Sequence, residues 1–145
     1  MRILLIGLLA GVLDGIAAIL LFRARGNKNP ALLFRYIASA VYGKAAFGEG
    51  NRMVLLGILF HLLIAGAFIA AYVGVYPYLP WLKAYPLAGA FAYGLLVWVI
   101  MNLGVVPLSK AAPRPFSVSF AVINVLILVV AIGLPAAYFS LVYYK

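Results

Sequence analysis

Two ionisable side chains interrupt stretches that are otherwise apolar enough to cross a membrane. Asp14 lies within GLLAGVLDGIAAILL, residues 7–21, and His61 lies within GILFHLLIAG, residues 57–66. The chain has two acidic residues, Asp14 and Glu49, and one histidine. A charge at the centre of a spanning helix costs about 2.5–3.5 kcal/mol even on the most lenient scale. An acid placed there needs a partner, and we expect Asp14 to serve a function rather than only to join helices.

The predicted spans carry one strongly polar residue each, and the four positions have similar depths. At ~1.5 Å per residue, Asp14 and His61 each lie about 12 Å from the same membrane surface, Asn124 about 10 Å and Asn102 about 6 Å. We therefore predict one polar binding site formed by these four residues. Asp14 and His61 are expected within hydrogen-bond reach, about 2.6–3.2 Å, or joined through one water. For the two asparagines, hydrogen bonds that only join helices are the favoured interpretation.

The first span also has a stripe of small residues. Gly7, Gly11 and Gly15 are spaced four residues apart. With Asp14 and Ala18 they fall within about 100° of arc at 100° per residue. Small residues at this spacing allow another helix to approach closely. Asp14 is therefore predicted to point into a helix contact rather than into lipid.

Helices must position these residues, because the composition excludes an ordinary soluble domain. The chain of 145 residues is 68% hydrophobic and 9% charged, whereas a soluble domain typically carries about 25% charged residues. Several apolar runs exceed the ~18 residues needed to span a bilayer. We predict an all-α polytopic membrane protein, a single transmembrane domain with four spans and one interfacial amphipathic helix. The spans are predicted at residues 3–22, 53–76, 86–106 and 117–142, and Pro135 is expected to kink the last one.

The predicted interfacial helix covers residues 30–47, after an Asn-Pro pair that is typical of a helix start. It is too short and too charged to span. One interpretation places it in the headgroup plane, with lipid contacts among Leu33, Phe34 and Phe47 and with Arg35, Lys44 and Arg52 at the lipid headgroups. The other interpretation is an ordinary loop helix packed on the ends of the bundle. The sequence leaves both open.

The basic residues predict an orientation. Of the eleven Lys and Arg, eight flank one side of the predicted bundle, six at positions 23–52 and two at positions 110–114, against Arg2, Lys83 and Lys145 on the other side. The positive-inside rule then places both termini outside. Tyrosine and tryptophan side chains at positions 72–85 and 138–144 would form an aromatic belt at the outer interface. The net charge of +9 is explained by anionic lipid headgroups and not by nucleic acid.

Motifs for catalysis and cofactors are absent from the sequence. There is no cysteine, which excludes disulfides and thiolate chemistry. The sequence contains neither HExxH nor GxSxG, and GKAAFGEG lacks the strand that precedes a P-loop. Asp14, His61 and amide oxygens are a thin ligand set for zinc. We predict no cofactor and no metal, and enzymatic activity is not favoured.

Four segments carry a resemblance to a known family: AGVLDGIAAILL, FRYIASAVYGKAAFGEG, GILFHLLIAG and LLVWVIMNLGVVPLS. The chain resembles a family of small bacterial four-helix inner-membrane proteins and, more distantly, the YagU-like membrane proteins. The resemblance implies a location in the bacterial inner membrane and supplies no activity. By this resemblance, the motif positions in this chain are Asp14, Gly15, Arg35, Gly43, Phe47, Gly48, Gly50, His61, Asn102 and Pro107.

The leading functional hypothesis is a transport or channel-like component, since polar groups at one depth suit the passage of a polar species. Such a component is expected to form a homo-oligomer or to join a partner membrane protein. The alternative is a structural or assembly protein that binds a partner helix through Gly7, Gly11 and Gly15. A lipid-modifying membrane enzyme is a third hypothesis, which rests only on the basic interfacial loop.

Overall fold

The computed structural model describes residues 1–48 and 50–145, and within them the only regular structure is helical. In chain order the helices are α1 (Arg2–Ala24), α2 (Ala31–Tyr42), α3 (Arg52–Val75), α4 (Pro80–Ala84), α5 (Pro86–Leu108) and α6 (Val118–Tyr143). Short 3-10 segments, Gly43–Phe47 and Tyr76–Tyr78, follow α2 and α3. Helices α1, α3, α5 and α6 are long and apolar enough to cross a membrane, with mean hydropathies of 1.9 to 2.6. Their ends lie within about two residues of those predicted from the sequence.

Small residues bring α1 and α3 into close contact. A Cβ atom added at Gly7 would lie 2.9 Å from the Cα of Gly66, and one at Gly11 would lie 3.1 Å from the Cβ of Ala65. The small-residue stripe of α1 therefore packs against α3 of the same chain. Close approach of two helices through such stripes is the usual way in which membrane helices gain packing contacts.

Helices α5 and α6 cross through two reciprocal glycine contacts. A Cβ atom at Gly94 of α5 would lie 2.7 Å from the backbone nitrogen of Val129, and one at Gly133 of α6 would overlap the carbonyl of Ala90. Helix α1 also contacts α6, and so does α3. The four long helices thus form one bundle.

Two π-helical turns accommodate prolines in the long helices. Ile100–Val105 precedes Pro107 in α5, and Val129–Gly133 precedes Pro135 in α6. Proline lacks an N–H group, and its ring clashes with the carbonyl four residues earlier in a regular α-helix. A π turn is one of the features that let a helix pass such a position. The interruption expected at Pro135 takes this form, and α6 continues to Tyr143.

The connections α1–α3 and α5–α6 meet at one end of the bundle, which we call the basic end (residues 23–48, 50–52 and 109–116). Backbone N–H of Lys110 donates to the carbonyl of Ala40 at 3.0 Å. The hydroxyl of Tyr36 donates to the carbonyl of Ala112 at 2.8 Å. The guanidinium of Arg114 lies 3.5 Å from the centre of the Tyr36 ring. This end therefore gathers the eight basic residues noted in the sequence.

The opposite end of the bundle has an aromatic core. Tyr72 and Tyr76 of the α3 region are each only 1% exposed. The Tyr72 ring contacts Tyr93 edge-on at 4.8 Å, and Tyr76 stacks on Tyr144 at 5.6 Å. The predicted belt is thus wrong for Tyr72 and Tyr76, which pack inside the bundle. Other aromatic side chains at this end are exposed: Tyr78, Trp81, Tyr85 and Tyr138.

Candidate functional site

The α1–α3 crossing places Asp14 beside His61. Nε2 of His61 lies 3.7 Å from Oδ2 of Asp14 and 2.9 Å from the carbonyl oxygen of Gly11. Because a carbonyl can only accept, Nε2 must carry the hydrogen and donate it to Gly11. Gly15 makes room for this contact, since a Cβ atom there would lie 3.2 Å from Nε2. The imidazole therefore joins the two helices through a backbone group.

The predicted proximity of Asp14 and His61 is found, but the predicted direct hydrogen bond is not. The separation of 3.7 Å suits an ion pair and exceeds the about 2.6–3.2 Å of a hydrogen bond between heavy atoms. The reason is that Nε2 is directed at the carbonyl of Gly11. Contact through one water stays a prediction.

Asp14 and His61 open onto a cavity of about 110 Å³ inside the bundle. The remaining lining is apolar and comes from α2, α3, α5 and α6: Ile37, Ile64, Ala65, Phe68, Val97, Met101, Leu128 and Ile132. The side chains of His61 and Asp14 are 14% and 15% exposed. The cavity has room for water or a small cation. Its apolar wall strengthens the electrostatic interaction between the two side chains relative to water.

Helix α2 covers one side of this cavity. Ile37 is part of the lining, and the ring of Phe34 meets the His61 ring edge-on at 6.4 Å. The α2 backbone crosses α3 at Gly57, where a Cβ atom would overlap the carbonyl of Phe34. Phe34 therefore packs at least in part on the bundle, whereas Phe47 is 47% exposed. The lipid contacts expected among Leu33, Phe34 and Phe47 stay a prediction. These contacts favour the interpretation of residues 30–47 as a helix docked on protein.

The two asparagines do not line the cavity. The side-chain amide of Asn102 donates to the carbonyl of Trp98 in its own helix at 3.0 Å, and its neighbour Met101 contributes to the lining instead. Asn124 lies one turn before the lining residue Leu128, on the same face of α6 but closer to the basic end. Of the four residues predicted to form one polar site, Asp14 and His61 thus line this cavity, and Asn102 and Asn124 do not.

The three basic residues predicted to meet headgroups differ in their surroundings. The guanidinium of Arg35 donates to the carbonyls of Ala46, Gly48 and Gly50. Arg35 thereby holds the connection after α2, and most of its donors are used within the chain. Lys44 and Arg52 are exposed at the basic end.

The role of α2 as a wall of the cavity was not predicted from the sequence. The available signal was Gly57, one turn before His61 on the same face of α3, since a glycine there admits a neighbouring backbone.

For a metal, the pair of Asp14 and His61 supplies one carboxylate and one imidazole. Within residues 1–48 and 50–145, no three His, Cys, Asp or Glu side chains come together, and catalytic zinc usually has three protein ligands.

Comparison with family models, curated proteins and solved structures finds no match for this chain. The chemistry of the cavity is therefore derived from its own side chains. A carboxylate and an imidazole can each gain or lose a proton. Either change would alter the net charge inside the apolar wall of this cavity.

Proposed function

We propose that the chain is a multi-pass protein of the bacterial inner membrane with both termini outside. Four long apolar helices support insertion, and an even number of spans returns the chain to its starting side. The gathering of eight basic residues at one end supports a cytoplasmic location for that end. The bacterial location draws on the family resemblance of the four segments in α1, α2, α3 and α5. At the basic end, Lys44 and Arg52 are proposed to meet anionic lipid headgroups.

We further propose that the Asp14–His61 pair binds a proton as part of transport through the bundle, in a homo-oligomer or with a partner membrane protein. The observation that carries this proposal is an acid 3.7 Å from an imidazole in a cavity with apolar walls. In the net-neutral state the pair holds one transferable proton, either on the carboxyl of Asp14 or as the second ring proton of His61. Its loss leaves a net negative charge, which the apolar wall of the cavity disfavours.

A static clasp accounts less well for the acid. His61 already joins α3 to α1 through the carbonyl of Gly11, and the glycine stripe supplies the close packing. The crossing therefore does not need a carboxylate at position 14. An amide or an apolar side chain would meet the structural need without the cost of a charge.

The alternative function is assembly with a partner helix through Gly7, Gly11 and Gly15. In this chain α3 already covers that surface. All three glycines face α3 in this chain, with neighbouring atoms at 2.9–3.2 Å from the Cβ positions. A partner helix would have to use another face. The geometry therefore favours proton handling over assembly.

The test is proton flux in liposomes that contain a pH-sensitive dye and a potassium gradient. Valinomycin converts this gradient into a membrane potential that drives protons across the bilayer. We expect wild-type protein to conduct above protein-free liposomes and Asp14→Asn to abolish this flux, because an amide cannot titrate. Asn124→Ala is the matched control, since it alters a polar residue outside the cavity and should leave flux unchanged. Melting temperature in detergent separates folding from function. Wild-type flux at the protein-free level, or full flux in Asp14→Asn, overturns the proposal.

A further inference from the structure

A second concavity lies on the outside of the bundle, between α1 and α6. Its volume is about 360 Å³. Every residue that lines it is apolar: Leu13, Ala17, Ile123, Leu126, Ile127, Val130 and Ala131. Four of these side chains are exposed, Val130 the most at 62%. We call this concavity the α1–α6 groove, and it is distinct from the cavity that contains Asp14.

The groove leads toward a cation at the basic end. Ala17 lies eight residues before Arg25, or about 12 Å along the helix. On the other wall, Ile123 lies three residues after Phe120, and the Arg25 guanidinium is 4.6 Å from the centre of the Phe120 ring. The N-terminus of α6, capped by Ser117, is also here and carries the positive end of the helix dipole. The α1–α6 groove therefore ends beside positive charge at the basic end.

We propose that the α1–α6 groove binds one acyl chain of an anionic phospholipid whose phosphate lies beside Arg25. The spacing suits such a ligand. The groove residues Leu13 and Ala17 lie about 12–18 Å from Arg25 along α1, and half of the hydrocarbon core of a bilayer is about 15 Å thick. An acyl chain that starts at a phosphate near Arg25 would reach the groove within one leaflet.

The lining favours an acyl chain over a transmembrane helix of a second protein. Where helices of this chain meet closely, glycine lies at the contact, as at Gly7 and Gly94. The α1–α6 groove instead presents mainly leucine, isoleucine and valine, and bulky branched walls keep a second helix backbone at a distance. A flexible chain can follow such walls. This site does not depend on the proton proposed for Asp14, and its test needs no flux.

The experiment measures the melting temperature of purified protein in detergent with added phosphatidylglycerol or phosphatidylcholine. We expect phosphatidylglycerol to stabilise the wild type by several degrees more, because a ligand that binds the folded state raises its stability. Ala17→Phe should fill the groove and Arg25→Gln should remove the cation, and each should lower this difference by more than half. The matched controls are Ala92→Phe, on an exposed face of α5, and Lys110→Gln, which removes an exposed charge from the same end.

Two results overturn the inference. The first is an equal effect of Arg25→Gln and Lys110→Gln, which would show general attraction to the basic end instead of a site. The second is a change in oligomeric mass for Ala17→Phe by light scattering, which would make a second copy the occupant. If Ala17→Phe does not fold, Arg25→Gln and Lys110→Gln still decide.

Discussion

His61 donates to the carbonyl of Gly11 and lies 3.7 Å from Asp14, so that one imidazole contacts both a backbone group and the acid of α1. With one acid and one histidine in the predicted spans, their pairing followed from depth and helix face. The hydrogen bond from His61 to the Gly11 carbonyl did not follow, because backbone carbonyls of a helix are normally counted as used. A carbonyl has two lone pairs, and a glycine one turn later, Gly15, leaves the second one accessible.

The first residue-scale prediction concerns Gly15→Ala. The new Cβ atom would lie 3.2 Å from Nε2 of His61, so that the ring must shift by a few tenths of an ångström and its hydrogen bond to the Gly11 carbonyl is weakened. A hydrogen bond contributes about 0.5–1.5 kcal/mol to stability, and we expect a melting temperature below that of an alanine variant at an open helix position and a changed imidazole ¹⁵N shift.

Gly74→Ala is the control for this change, since nothing lies within 4 Å of the Cβ position there. Alanine is favoured over glycine in helices by about 1 kcal/mol, so that this variant should be at least as stable as the wild type. Equal melting temperatures for the two alanine variants would show that Gly15 is not needed for the His61 contact.

At the scale of elements, the apolar runs predicted the four long helices well, because span length and composition leave little choice. The docking of α2 was not predictable. A helical wheel shows which face of α2 is apolar, but either lipid or protein can cover an apolar face. The inward-facing residues of α5 were also not predictable from the sequence, because the π turn Ile100–Val105 changes which side chains face inward. Met101 consequently lines the cavity in the place expected for Asn102.

The docking of α2 can be tested with Gly57→Ala. The added Cβ atom would overlap the backbone carbonyl of Phe34, which no side-chain rotation can relieve. Overpacking of this kind costs about 1–3 kcal/mol. We expect α2 to separate from α3 more often and to expose residues that are now covered.

Labelling of an introduced cysteine would measure this separation. The chain has no cysteine of its own, and Ala38 is 0% exposed, so that Ala38→Cys reports on α2 alone. Its labelling rate by a soluble maleimide should rise about tenfold in Gly57→Ala, since about 1.4 kcal/mol is a factor of ten. Gly104→Ala is the control, because its Cβ position is open. An unchanged rate in Gly57→Ala would mean that α2 is not held at this crossing.

At the scale of the whole molecule, charge is distributed unevenly between the two ends. Contacts such as Lys110 to Ala40 bring the two basic connections together, whereas Lys83 lies near Tyr76 at the aromatic end, 5.8 Å from its ring centre. This asymmetry was predictable, because an even number of spans forces alternate loops to one side. The same reasoning could not predict that Arg35 would be used by carbonyls of its own connection.

The orientation itself is the last prediction. Cytoplasmic Lys and Arg set topology through the loops next to the spans, and eight such residues lie at the basic end against three at the other. Alkaline phosphatase fused after Lys145 should therefore be active, and a cytoplasmic fluorescent reporter at that position should be dark. A phosphatase fusion after Lys110 should be inactive. Changing Arg23, Arg25 and Lys28 to glutamine leaves five against three and should give mixed reporter activity. Bright fluorescence at Lys145 in the wild type would reverse the bundle and place Asp14 and His61 nearer the outer surface.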